Sequence, residues 1–184
     1  MRYLLPFISL VILLGGCAVH KPMTRQQALN ATQKTYTDIS KDKFFQAAEK
    51  LFRLNDGPDF NFSYTENQLI AKNNFAVFLG LGFSIGTDTW EINVQEKEKH
   101  LKAKLNITHK ARPLICFIIP FPASSHSPDG PLVYKLFWKR MDYLLGKSDT
   151  WPTCADAKKW TKHDDVWGNI NILCRPGTKN KIPN

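Results

Sequence analysis

Apolar side chains recur at every third or fourth position near both ends of this chain and at every second position in its middle. The first spacing places them on one face of a helix and the second on one face of a strand. From Lys43 to Leu54, the residues Phe44, Phe45, Ala47, Ala48, Leu51, Phe52 and Leu54 share a helical face. Asp42 can cap its start, and Asn55-Asp56-Gly57-Pro58 stops it. Upstream, Thr24 to about Ile39 carries a weaker stripe of Ala28, Leu29, Thr32 and Tyr36 and reads as a polar helix. Downstream, Asp129-Gly130-Pro131 opens a helix from Leu132 to Leu145, proline being suited to a first turn. Val133, Leu136, Phe137, Met141, Leu144 and Leu145 face one way, and Gly146 ends it.

The period-two region predicts strands. Phe60, Phe62 and Tyr64 alternate with polar residues, Glu66-Asn67 turns, and Gln68 to about Leu79 forms a second strand. Gly80-Leu81-Gly82 breaks it, and Phe83 to Gly86 leads to a turn at Gly86-Thr87-Asp88. In the next hairpin Trp90, Ile92 and Val94 oppose Leu101, Ala103, Leu105 and Ile107. A loop of Glu96-Lys97-Glu98-Lys99 sets Val94 against Leu101, Ile92 against Ala103, Trp90 against Leu105 and Glu91 against Lys104. The continuous apolar run Leu114 to Ile119 reads as a central strand, and Pro120 to Pro131 as a turn-rich connection. This order predicts an α+β fold: N-terminal helices, an antiparallel sheet of about four to six strands, then a helix packed on one face.

The first residues are of another kind. Met1-Arg2 precedes an apolar run from Tyr3 to Leu14, twelve residues where a spanning helix needs about 20. One positive charge and a short apolar core describe an export signal. Leu14-Gly15-Gly16-Cys17 resembles the lipobox of bacterial lipoproteins: an aliphatic residue, two small ones and an essential cysteine. The resemblance covers about the first 17 residues and is silent on the fold of the rest. It implies that residues 1–16 are a signal peptide, that diacylglyceryl and then a fatty acid such as palmitate are attached at Cys17, and that the mature chain stays on a membrane. Ala18, in place of an aspartate, implies the outer membrane of the cell envelope. Two or three acyl chains are what stable anchoring needs, each buried methylene adding about 0.8 kcal/mol. Residues 17–24 are then a tether, 25–176 one domain, and 177–184 a polar tail.

The precursor carries 25 Lys and Arg against 16 Asp and Glu, a net charge of +9, or +8 once Arg2 is removed. Such a surplus favours acidic neighbours, and an envelope location disfavours nucleic acid among them. The excess concentrates between Glu96 and Arg112, where six Lys or Arg meet two Glu. Lys97, Lys99, Lys102 and Lys104 are candidates for contact with an anionic surface such as lipid headgroups, the equal alternative being a solvated face. Export implies an oxidising compartment. Cys116, in an apolar strand, suits the core. Cys154 and Cys174 are expected to pair and close a C-terminal cap, with about 3 kcal/mol of stabilisation, the alternative being a bridge from Cys116 to one of them.

Candidate chemistry is sparse. The glycines from Gly80 to Gly86 lack the lysine and following helix of a phosphate loop and fit close backbone approach instead. Ser124-Ser125-His126-Ser127-Pro128-Asp129 holds triad residue types but no nucleophile turn and reads as a solvated loop. His163-Asp164-Asp165 with His126 lacks metal-ligand spacing, so neither metal nor cofactor is expected. Trp151, Trp160 and Trp167 stand among lysines balanced by aspartates. They read as packing under the cap or as anchors for a protein partner. The sequence therefore points to a lipid-anchored, non-enzymatic binding or accessory domain. Its partner would be an envelope protein or a cell-wall polymer, as in a secretion or transfer accessory or a toxin-immunity protein. The alternative is an envelope enzyme acting on cell-wall or lipid substrates with a scattered site.

Overall fold

A computed structural model describes residues 23–56, 59–78, 80, 82–115, 119–120, 122–128, 130–160 and 173–174. Cys17, Cys116, Trp167, His163, Asp164, Asp165 and the tail from 177 lie outside them. The described residues form helices α1 (Arg25–Thr32), α2 (Lys41–Asp56), α3 (Leu132–Leu144) and α4 (Cys154–Lys159). The strands are β1 (Gln33–Thr37), β2 (Phe60–Tyr64), β3 (Gln68–Phe78), β4 (Gly82–Lys97), β5 (His100–Ile115), β6 (Ile119–Pro120) and β7 (Ser124–His126). The fold is α+β: an antiparallel sheet of order β1-β5-β4-β3-β2, with helices packed on one face. The short β6 and β7 join β1 along the outer edge of β5.

The core forms where the helices meet the inward positions of the long strands. Trp90, Ile92 and Val94 of β4 and Leu101, Ala103, Leu105 and Ile107 of β5 are buried under Phe44, Leu51 and Phe52 of α2 and Leu136, Phe137 and Met141 of α3. Trp90 is the hub, its ring 5.3 Å from that of Phe52 and 5.9 Å from that of Phe137. Truncating a buried aromatic of this kind costs about 3–5 kcal/mol, so this cluster dominates the stability of the fold. Helix α3 ends as its glycine requires. Gly146 takes a φ of 72°, and the Gly146 and Lys147 amides donate to the Tyr143 and Asp142 carbonyls, a Schellman ending.

Five local expectations are corrected. The polar helix ends at Thr32, and Gln33 to Thr37 form β1 instead, pairing with Lys104 to His100. Tyr36 thus enters the core from a strand, its hydroxyl donating to Asp142 Oδ1 at 3.1 Å while Lys34 Nζ reaches the same carboxylate at 2.7 Å. The open edge of β5 decides this, since pairing satisfies backbone groups that a weak stripe could not protect. Helix α2 starts two residues early because Ser40, rather than Asp42, caps it; its Oγ lies 3.4 Å from the Lys43 amide.

The β4–β5 register is offset by two residues. Val94 faces Ala103, Ile92 faces Leu105, Trp90 faces Ile107 and Glu91 faces Asn106. The turn is only Glu98-Lys99, because Glu98 accepts a φ of 56°. A slip of two keeps every side chain on its face, so alternation alone could not detect it. Gly86-Thr87-Asp88 is no turn but the interior of β4; the hairpin closes after Phe78, which pairs with Phe83, around Gly80 at a φ of 81°. A Cβ on Gly86 would lie 2.1 Å from the Lys110 carbonyl oxygen and 2.5 Å from the Phe75 ring, so the glycine serves close approach. The run from Leu114 is not one strand: Leu114 pairs with Pro120 and Ile115 with Ile119, so it divides between β5 and β6.

Candidate docking face and the polar ends of the sheet

Because successive residues of a strand point to opposite sides, burying Trp90–Val94 and Leu101–Ile107 turns a second set outward. On β5 that set is His100, Lys102, Lys104, Asn106, Thr108, Lys110 and Arg112, and on β4 it includes Thr87, Thr89, Glu91, Asn93 and Lys97. Lys72 of β3 joins them beside Thr89. Six cations therefore stand on this face against the one carboxylate of Glu91. Lys72, Lys97, Lys102, Lys104, Lys110 and Arg112 are all exposed. Lys99, in the turn, is exposed as well. Between the cations lie mainly amide and hydroxyl side chains, with Ile70 opposite Glu91 and Ile85 opposite Arg112, so the face is polar over most of its length and turns apolar toward Arg112. At about 3.3 Å per residue, Lys102 and Arg112 are about 33 Å apart along β5. Like charges held at that spacing by a rigid sheet attract polyanions without folding cost to the sheet.

The inward positions change character past the core. Beyond Trp90 and Ile107 they become Asp88 and His109, then Gly86 and Ala111. The Asp88 carboxylate is buried, and its Oδ1 lies 2.5 Å from His109 Nδ1. The imidazole stacks on Phe75 at 4.9 Å and lies 5.1 Å from the exposed His126 of β7. Sequence reasoning missed Asp88 and His109, although continuing the alternation two residues past Trp90 and Ile107 would have placed both inside. Ser124, taken from the Ser-His loop, donates to the Ala111 carbonyl at 3.4 Å, which uses it for edge pairing. Among the described residues, no three His, Cys, Asp or Glu side chains are placed to share a metal ion.

At the other end of the molecule, Cys154 and Cys174 form the expected disulfide. Thr153 and Asp156 cap α4 reciprocally. Hydrogen bonds from Thr153, above all, hold the Asp156 carboxyl below the ordinary carboxylate range. Arg140 of α3 lies beneath the cap and donates to the Pro152 carbonyl at 3.3 Å, the Leu173 carbonyl at 3.2 Å and Cys154 Sγ at 3.4 Å. Burial pushes its guanidinium down to about 10. Trp151 is buried, 5.0 Å beneath that guanidinium and 5.5 Å from the Tyr143 ring. Trp160 is half-buried, with Lys135 Nζ 4.9 Å and Lys139 Nζ 5.7 Å from its ring. The cap is thus bound to α3 by cation–π contacts and carbonyl hydrogen bonds as well as by sulfur.

Two open concavities flank these features. One, of about 400 Å³, runs along α2 over Glu49 and Arg53. There the Tyr64 hydroxyl donates to Glu49, and that bond, aided by Arg53, lowers the carboxylate's pKa. The other, of about 360 Å³, lies by Gly86 between Lys110 and Arg112. No family model, curated protein or solved structure matches this chain.

Proposed function

We propose that this chain is a bacterial envelope lipoprotein, acylated at Cys17, whose globular part is a non-enzymatic docking domain. The outward face of the sheet, with Lys97, Lys102 and Lys104 near one end, is its contact surface for an acidic envelope protein or cell-wall polymer. The observation that carries this reading is the lateral arrangement of that face: among the described residues, six exposed cations and one carboxylate with mostly polar residues between them. Support also comes from the rigidity of the mount, since the reverse side of the same strands is the aromatic core. Anchoring follows from the lipobox resemblance, and the short tether keeps the domain beside the bilayer. Eight residues from Cys17 to Thr24 reach at most about 28 Å when extended.

The test is photocrosslinking from residues 97, 102 and 104 in intact cells, with Lys102→Glu/Lys104→Glu as comparison. The expected result is a discrete adduct that the charge-reversed form loses while remaining folded and acylated. Adducts undiminished by charge reversal would count against this face as the contact surface.

A further inference from the structure

The far end of the same face differs from its cationic plate. Phe78 and Phe83 pair across the β3–β4 hairpin, their rings 5.4 Å apart, and remain 60% and 38% exposed. Ile85, two positions along, is 42% exposed. Arg112 stands opposite Ile85, and Lys110 stands opposite Thr87 in the next outward row. From the tip inward the face therefore reads aromatic, aliphatic with guanidinium, then hydroxyl with ammonium. Each step is about 7 Å.

That succession matches the section of a bilayer edge, where acyl boundary, phosphate and water follow one another within a comparable depth. Large aromatic side chains left in water cost free energy that a lipid interface recovers. The concavity between Lys110 and Arg112 is large enough for a headgroup, and both cations border it. Charge complementarity thus selects an anionic membrane over a neutral one.

We propose that the β3–β4 hairpin tip seats in the headgroup layer of an anionic bilayer, with Phe78 and Phe83 inserted and Lys110 and Arg112 taking lipid phosphate. The domain is then held at two points, Cys17 and the tip. Its cationic plate at Lys102 and Lys104 stands about 33–40 Å from Phe83 along the strands. The bilayer's proximity rests on the lipoprotein reading, but the two fail separately: vesicle binding by a chain lacking Cys17 reports the tip alone, and acyl mass reports the anchor alone.

The test uses the chain from Ala18 onward, which retains every contact described above, sedimented with vesicles of phosphatidylglycerol and phosphatidylcholine or of phosphatidylcholine alone. Binding is expected to the anionic vesicles only. Lys110→Gln/Arg112→Gln is expected to weaken it about thirtyfold, at about fivefold per cation near the surface. Phe78→Ser/Phe83→Ser is expected to weaken it at least as much, with an unchanged circular dichroism spectrum. Lys102→Gln/Lys104→Gln lies beyond the Debye length of about 8 Å and should change it less than about twofold. Equal losses from both cation pairs, indifference to the phenylalanine pair, or equal binding to neutral vesicles would each overturn the proposal. So would full competition by inorganic phosphate, which would identify a free anion as the ligand.

Discussion

Replacing Cys154 and Cys174 together by alanine isolates how much the cap owes to its covalent closure. The bridge joins residues 20 apart in sequence, so it removes the freedom of a loop of about that length from the unfolded chain. The loop-entropy relation gives about 3 kcal/mol for that length. Most native contacts of the cap do not involve sulfur: Trp151 lies on Arg140, Trp160 lies by Lys135, and Thr153 and Asp156 form the capping box, while the substitution removes the hydrogen bond from Arg140 to Cys154 Sγ. The loss should therefore act through the unfolded state, with the spectrum of the folded protein preserved. In urea, with a slope of about 2 kcal/mol per M, the midpoint should fall by about 1.5 M. Equilibrium unfolding of both proteins, followed by tryptophan fluorescence, measures it, with Cys116 replaced by alanine in each to prevent exchange. A midpoint shift below about 0.5 M at unchanged slope would show that the cap is held by its contacts and that the entropic account is wrong.

Three further outcomes follow from particular contacts. Gly86→Ala should cost about 1–3 kcal/mol in the same assay, because its Cβ meets the Lys110 carbonyl oxygen, a backbone atom that cannot swing aside as a side-chain end could; an unchanged midpoint contradicts the close approach. Arg140→Met should cost about 2 kcal/mol and make the disulfide easier to reduce, because the Pro152 and Leu173 carbonyls lose their donor; stability equal to wild type would mean that water replaces it. Tyr64 is raised to about 12 by burial and by its hydrogen bond to Glu49, and Tyr36 is raised further by burial and Asp142. The folded chain thus holds phenolic protons more tightly than the unfolded one. That contribution is complete below the ordinary value of 10.0 and is lost as pH climbs through the folded values. Phenolate absorbance should rise later with pH in the native protein than in urea; coincident curves would refute it.

The outline of the fold was legible because its main elements are amphipathic at a single period. Phe44 to Phe52 and Leu136 to Met141 lie where helical spacing put them, and Trp90 to Val94 and Leu101 to Ile107 where alternation did. What escaped was decided at longer range. Gln33 to Thr37 became a strand because β5 offered an unpaired edge, a fact carried by no local pattern. The two-residue offset at Glu98 escaped because it leaves both faces intact. The cationic plate was legible in part, from Lys97 to Lys104. Its extension to Lys72, Lys110 and Arg112 needed the full length of β4 and β5, which the apparent turn at Gly86-Thr87-Asp88 concealed. The Asp88–His109 pair was hidden for the same reason.

The proposed lipid anchor and envelope location depend on the chemistry of one thiol. Intact-mass analysis of the chain extracted from its native cells tests that most directly, alongside a Cys17→Ser form. The account predicts a chain beginning at Cys17 and heavier than its sequence by a diacylglyceryl group and a fatty acyl group, with the serine form uncleaved and unacylated. A water-soluble chain of unmodified mass, or normal maturation of the serine form, would contradict it.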